Sequence, residues 1–295
     1  MRFGLFLVGA GSLYQAHQRD SALATAREIG IDLEVFFAEG EGQTQREQLF
    51  SFLRSSAVPD GLIVHAVEEA GLRLVAQEAL RKGVPWVMVN RSPAWVAELT
   101  AGREGLAFCI SADQRGIGRL QGEQFRALLP EGGTVLYVTG PSLAGSAKER
   151  QAGMEETKGT LLSAIPVVGA WSEASGRDAV RAWLEMTRGF VPFDLVGAQN
   201  DDMAMGALKA LQEAAAPLDR PGWRAFPATG VDGLPHYGQR LVDETLLVAT
   251  VVMPTTTGKA VELLAAAVRG GPHPPLVTKV PISSYPHLSM LRRCR

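Results

Sequence analysis

The stretch VGAQNDDMAMGALKAL, residues 196–211, decides how the rest of the chain is read. A short apolar run, Leu195 to Ala198, stops at four polar side chains, Gln199, Asn200, Asp201 and Asp202. Met203, Met205, Leu208 and Leu211 then recur at helical spacing, so the stretch predicts a strand, a polar corner and a helix with a core-facing apolar side. In an open parallel α/β sheet, ligands bind beyond the carboxyl ends of the strands, where loops turn into helices. Asn200 and Asp201 fall at that edge. Asn and Asp are leading N-cap residues, yet four polar side chains exceed what a cap needs. Asp201 is the expected cap and Asn200 the expected ligand contact.

The same strand–corner–helix signal repeats in both directions, which predicts βα units around parallel sheets. Before residue 113, strands are predicted over 3–8, 33–37, 61–65, 86–90 and 106–110, with helical patterns over 16–29, 44–53, 70–82 and 93–101. After it the alternation starts afresh. Helices are predicted over 116–129, 147–162 and 178–187, and strands over 134–139 and 167–171. Beyond the opening stretch come a strand over 225–231, a short helix over 235–242, a strand over 246–252, a helix over 257–269 and a strand over 276–280. A Pro-rich, weakly patterned tail follows.

Two similar blocks and a remainder describe a chain that returns to complete its first domain. The expected organisation is residues 1–111 with 254–280 in one lobe and 112–253 with 281–295 in the other. Each lobe is then a Rossmann-like parallel sheet flanked by helices, and three chain crossings form the hinge. Parallel connections impose right-handed crossovers on each lobe.

With 295 residues, 46% of them hydrophobic and 20% charged, the chain suits two globular domains. Lys plus Arg is 29 against 31 for Asp plus Glu, a net charge of −2 with no long single-sign block, which argues against a nucleic-acid partner. The two cysteines, Cys109 in an apolar run and Cys294 near the end, suggest neither a disulfide framework nor a zinc site. Residues 1–10, MRFGLFLVGA, read as a first strand and not as a signal peptide. No apolar stretch approaches the roughly 20 residues that span a bilayer, so membrane insertion is not expected.

Enzyme signatures are incomplete. The glycine loop at Gly9 and Gly11 places Tyr14 where the third glycine of a dinucleotide fingerprint should stand, and no acid ends the second strand at Phe36 to Ala38. No phosphate-loop triplet or nucleophile elbow occurs, and the five histidines show no metal-ligand spacing. No cofactor, metal or catalytic set is therefore expected.

Polar residues do recur at strand ends: Asn90 with Arg91, Ser111 with Asp113, Asn200 with Asp201, and Asp232. Each alone fits a cap or turn. Together, drawn from two lobes, they suggest one crevice carrying donors and acceptors. Sugar hydroxyls both donate and accept, and the planar fork of Arg91 matches two adjacent oxygens. Tyr14 and Trp171 are proposed as flat rings against a sugar's C–H face, whereas Trp95 reads as core. His65 ends a strand, where a structural hydrogen bond and a ligand contact are equally compatible. Lys148 and Arg150 open a helix and read as exposed, with Lys148 the better placed to face the crevice.

The opening stretch resembles the strand-end motif of the type I periplasmic binding proteins and the related LacI-type effector domains. The resemblance extends over almost the whole chain: Asn90–Arg91, SADQRGIGRLQGEQF (111–125), GSAKERQAGM (145–154), GVDG (230–233) and ATVVMPTTTG (249–258) each match a family segment in order. It implies ligand contacts at Ser12, Tyr14, Gln15, His65, Asn90, Arg91, Lys148, Ala174, Asn200, Asp232 and Met253. The chain departs from the family where SLYQ fills the first loop, where Lys148 replaces a frequent Arg, where Ala174 replaces a frequent aromatic and where Met253 replaces a frequent Gln. The function implied is capture of a small sugar or polyol between two closing lobes for the permease of an ABC importer, in the periplasm or otherwise outside the cytoplasm. The alternative it carries is the ligand-sensing domain of a LacI-type regulator, which would be cytoplasmic.

Overall fold

A computed structural model describes residues 1–101 and 105–293. The chain divides into two compact units, residues 1–112 with 255–280 and residues 113–254 with 281–295. Three chain crossings, after residues 112, 254 and 280, join them. Each unit is a three-layer α/β domain.

The first unit contains β1 (Arg2–Leu7), α1 (Leu13–Glu28), β2 (Asp32–Phe37), α2 (Gly42–Leu53), β3 (Gly61–Val64), α3 (Leu72–Arg81), β4 (Trp86–Val89), α4 (Ala94–Thr100) and β5 (Ala107–Ala112). In the second unit follow α5 (Gln114–Leu128), β6 (Gly133–Thr139), α6 (Gly145–Thr157), β7 (Leu162–Val168), α7 (Glu173–Thr187), β8 (Leu195–Ala198), α8 (Asp201–Ala215), β9 (Ala228–Asp232), α9 (Gly238–Asp243) and β10 (Ala249–Val252). Then α10 (Thr257–Val268) and β11 (Val277–Val280) return to the first unit, and β12 (Ser283–Tyr285) ends the second sheet.

The first sheet runs β11-β5-β4-β3-β1-β2 with every neighbour parallel. Strands buried on both faces read as continuous apolar runs, and β3, GLIV, and β4, WVMV, are buried throughout. Phe6, Phe52, Leu62, Val75, Trp86 and Met88 fill one side of it. Cys109 lies in this core, where burial, aided by the charge of Glu69, pushes its thiol up to about 12 and leaves it inert.

The second sheet runs β12-β10-β9-β8-β6-β7, with only β12 antiparallel to its neighbour. Close helix approach organises this unit. A Cβ at Gly118 of α5 would run into the Arg150 carbonyl oxygen of α6, and one at Gly153 of α6 into the Arg115 carbonyl oxygen of α5. The pair α7 and α8 meet in the same way at Gly206, which faces the Glu173 carbonyl oxygen.

Three sequence expectations need correction. The helix predicted over 147–162 stops at Thr157, because Gly159 takes a left-handed φ of 80°. Leu162 instead opens β7, an edge strand that tolerates Pro166. The helix predicted from residue 178 begins at Glu173, where Ser172 accepts from the Ser175 amide in a capping box. The tail contains β12, too short at three residues to show a period. Cys294 lies outside the described residues.

Candidate functional site

In both units the polar residues of interest follow the carboxyl ends of parallel strands, where backbone donors and helix starts are available to a ligand. Each unit builds a polar cluster of its own, a candidate half-site.

In the first unit, Tyr14 and Gln15 open α1, His65 follows β3, and Asn90 and Arg91 follow β4. His65 is the centre of this group. The Gln15 amide lies 3.1 Å from its Nδ1 and Asn90 Nδ2 lies 3.3 Å from its Nε2. Burial, aided by the Arg91 charge, lowers the imidazole to about 3, so it is neutral and carries a single N–H. Two amide NH2 groups cannot both donate to such a ring. Asn90 Oδ1 already accepts from the Thr256 hydroxyl at 2.9 Å, whereas Gln15 Oε1 is buried without a partner. The Gln15 amide is therefore the one to reverse: its oxygen accepts from Nδ1–H, and Nε2 accepts from Asn90.

Asn90 also donates to the Tyr14 hydroxyl at 2.7 Å, and it adopts a left-handed φ of 62° that Asn tolerates better than most residues. The Tyr14 ring meets His65 edge-on, with centroids 6.4 Å apart. Arg91 is only loosely held, 3.4 Å from the Val67 carbonyl oxygen and 3.9 Å from Glu69. Ser12 precedes α1, but its hydroxyl makes no cap bond. Gln18 lies one turn beyond Tyr14. Its Oε1 accepts from the amides of Thr256 and Thr257, both at 3.1 Å, which ties α1 to the start of α10. Sequence reasoning passed over Gln18 and Thr256, which position Asn90 from behind.

In the second unit, Trp171 follows β7, Asn200 follows β8, Asp232 ends β9 and Met253 follows β10. Asn200, not Asp201, is the cap: its Oδ1 accepts from the Met203 amide and its Nδ2 donates to the Trp171 carbonyl oxygen, both at 2.9 Å. Asp201 turns inward instead, where Thr250 and the Gly233 amide meet it at 2.7 and 2.9 Å. The reason is space. Gly230 and Gly238 leave room for this carboxyl, and a Cβ at either would strike it. Asp232, by contrast, is half-buried and its carboxyl accepts no hydrogen bond among the described residues. Burial holds it well above the ordinary carboxylate range; Arg150 opposes this and the like charges of Asp201 and Asp202 add to it.

The cation of this half-site is Arg150, which is 5% exposed. Its Nε donates to Gln114 Oε1 at 2.8 Å, its Nη1 to the Gln199 carbonyl oxygen, and its Nη2 lies 3.7 Å from Met253 Sδ. It sits 5.6 Å from the centroid of the Trp171 ring. All three of these acceptors are neutral. Lys148 lies on the exposed side of α6 and meets none of them, since two residues along a helix turn a side chain through about 200°. The expectation that Arg150 is exposed is thus overturned: it is the buried cation of the cluster, and Lys148 is the exposed one. Ala174 is exposed in the first turn of α7. Gln199, fully buried, accepts from the Gly140 amide at 2.9 Å and donates to the Ala147 carbonyl oxygen at 3.0 Å, holding the β6 and β8 ends together. Part of the Trp171 ring is taken up by Gly140, so it serves as a wall as well as a surface.

Among the described residues no helix is long and apolar enough to cross a membrane, and no group of three or more His, Cys, Asp or Glu side chains is arranged to hold a metal ion.

The family model of the periplasmic binding protein domain matches residues 3–272. A putative rhizopine-binding protein of Rhizobium meliloti is 28% identical over 195 residues, covering 64% of this chain and 60% of that protein, so the match spans under two thirds of the relative. The galactofuranose-binding protein YtfQ of Escherichia coli is 22% identical over 290 residues, covering 96% of this chain and 86% of the relative. The crystal structure of a galactofuranose binding protein superposes with a TM-score of 0.84 at 21% identity, covering 97% of this chain and 94% of that one.

Proposed function

As the chain belongs to the periplasmic binding protein family, we propose that it is the solute-binding component of an ABC importer and that it captures a small sugar or polyol outside the cytoplasm. Binding, not catalysis, is the activity of such a protein. The observation that carries this reading is a pair of strand-end groups left open to a partner, the Asp232 carboxyl, which accepts no hydrogen bond among the described residues, and the loosely held Arg91 guanidinium. A polyol supplies both what they lack. Its hydroxyls exchange hydrogen bonds with the Asp232 carboxyl and accept from Arg91, the last a charge-assisted bond of above-average strength.

Binding of this kind works by population shift: the ligand stabilises whichever state offers it contacts that the other lacks. The contacts proposed in the first unit are Asn90, Arg91 and Tyr14, with Gln15 and His65 fixing Asn90 and Ser12 offering an uncommitted hydroxyl. Those proposed in the second are Asp232 and Arg150, with Trp171 and Met253 as walls. Asn200 holds the Trp171 backbone, and Lys148 is left at most a rim charge. The relatives are named for galactofuranose and rhizopine binding, which supports this class of ligand over the effector of a transcriptional regulator.

A thermal-shift screen over pentoses, hexoses, polyols and amino-sugars tests the proposal. A ligand present at about 100 times its Kd adds about 2.7 kcal/mol of stability, a readily measured rise in melting temperature. A screen in which no carbohydrate shifts the transition while an unrelated metabolite does would overturn the assignment.

A further inference from the structure

The corner where β8, β9 and β10 end carries a second carboxyl behind the first. Asp201 is 1% exposed at the start of α8, and its two oxygens take the Gly233 amide and the Thr250 hydroxyl. The residue before Gly233 is Asp232, whose φ of 103° is a conformation that L side chains seldom adopt. Gly233 follows with a φ of 55°. This turn is held from both sides: the Asp232 carbonyl oxygen accepts from the Met253 amide at 3.0 Å, and the Gly233 amide is held by Asp201.

We propose that Asp201 is a positioning residue for Asp232: through the Gly233 amide it holds the Asp232–Gly233 turn in the shape that presents the Asp232 carboxyl to the ligand. The inference rests on reading Asp232 as a ligand contact, as argued above. Burial raises Asp201 to about 7, against the opposing bonds from Thr250 and Gly233 and the charge of Arg150, with Asp202 adding to the rise. The groups that face this corner are Arg150 from α6, Asp202 from α8, and Tyr237 and Glu173 beside Asp202. Asp201 and Asp232 thus both feel the one guanidinium, and ionisation of Asp201 makes ionisation of Asp232 harder.

Two variants separate the hydrogen bond from the charge. In Asp201→Asn the amide oxygen accepts from Gly233 while its NH2 donates to the Thr250 oxygen, so the turn is kept and the charge removed. In Asp201→Ala both are lost. NMR of the ligand-free protein follows the Gly233 amide proton and the Asp232 carboxyl carbon between pH 5 and 9. The wild type should show a hydrogen-bonded Gly233 amide with an inflection near pH 7. Asp201→Asn should keep the bonded position, lose the inflection and lower the Asp232 midpoint. Asp201→Ala should lose the bonded position as well. A Gly233 amide that is unbonded in the wild type, or that keeps its bonded position in Asp201→Ala, overturns the proposal, and the wild-type amide decides alone if Asp201→Ala does not fold. Since no ligand is needed, a carbohydrate screen that fails overturns the functional reading separately.

Discussion

The two half-sites reach the same end, polar groups fixed at strand termini, by opposite electrostatic means. The first is neutral at its centre. A buried imidazole, two amides and two hydroxyls satisfy one another, and the guanidinium of Arg91 stands at the margin. The second is charged at its centre, with a buried guanidinium held by neutral acceptors beside carboxyls that burial keeps hard to ionise. A neutral network costs little to bury once every partner is present. A charged one carries its desolvation penalty into the folded state.

The contrast is broken most directly at Arg150. Arg150→Ala should destabilise the second unit by about 3 kcal/mol, because Gln114 and the Gln199 carbonyl group lose their buried donor. Lys148→Ala, two residues away, should stay within about 0.5 kcal/mol of the wild type. Urea denaturation of the two variants measures the difference, and equal midpoints would refute the assignment of Arg150 as the buried cation.

Next in size are the ionic groups assigned to the ligand. Asp232→Ala and Arg91→Ala should each weaken binding of the sugar or polyol found by screening at least about tenfold while the fold persists. Calorimetry that returned wild-type affinity for both would remove them from the site.

Acidity should then pull the units apart. His65 is held at about 3 against an ordinary 6.5, so as pH falls below 6.5 the unfolded chain gains a proton that the folded first unit refuses, and stability is lost. Asp201 is held at about 7 against an ordinary 3.8, so the folded second unit keeps a proton that the unfolded chain has released, and stability is lost as pH rises toward 7. Each effect is of the order of 1 kcal/mol per pH unit within its window. Going from pH 7 to pH 5, hydrogen exchange corrected for its intrinsic rate should quicken in β3 and β4 and slow in β8 and β9. Parallel responses in the two sheets would contradict this.

The smallest difference lies at two helix starts. Asn200→Ala should cost about 1 kcal/mol, as loss of a cap bond does. Ser12→Ala should cost nothing measurable in the ligand-free protein, because that hydroxyl bonds to no amide of α1. Paired thermal melts compare them.

How much of this was legible beforehand follows from the range of the forces involved. Alternating strand and helix signals depend on local period, so the βα order and the strand-end positions of Asn90, Arg91, Asn200 and Asp232 could be read directly. The division of labour between neighbours could not. Whether Asn200 or Asp201 caps α8 is settled by the space beside Gly230 and Gly238, some 30 residues away. Whether Lys148 or Arg150 is buried depends on the phase of α6 against α5, set by the Gly118 and Gly153 contact. Gln18 and Thr256 act on Asn90 from opposite ends of the chain, and no short pattern joins them.

That contact between α5 and α6 also limits how the protein can be changed. Replacing a helical glycine by alanine is a common stabilising step, worth up to about 1 kcal/mol where the helix is free. At Gly118 and Gly153 the sign should reverse, because the added methyl group would push one helix backbone off the other and carry Arg150 with it. The guanidinium is held in register by two side chains that are not there, and a thermostability search that overlooks this would trade binding for nothing.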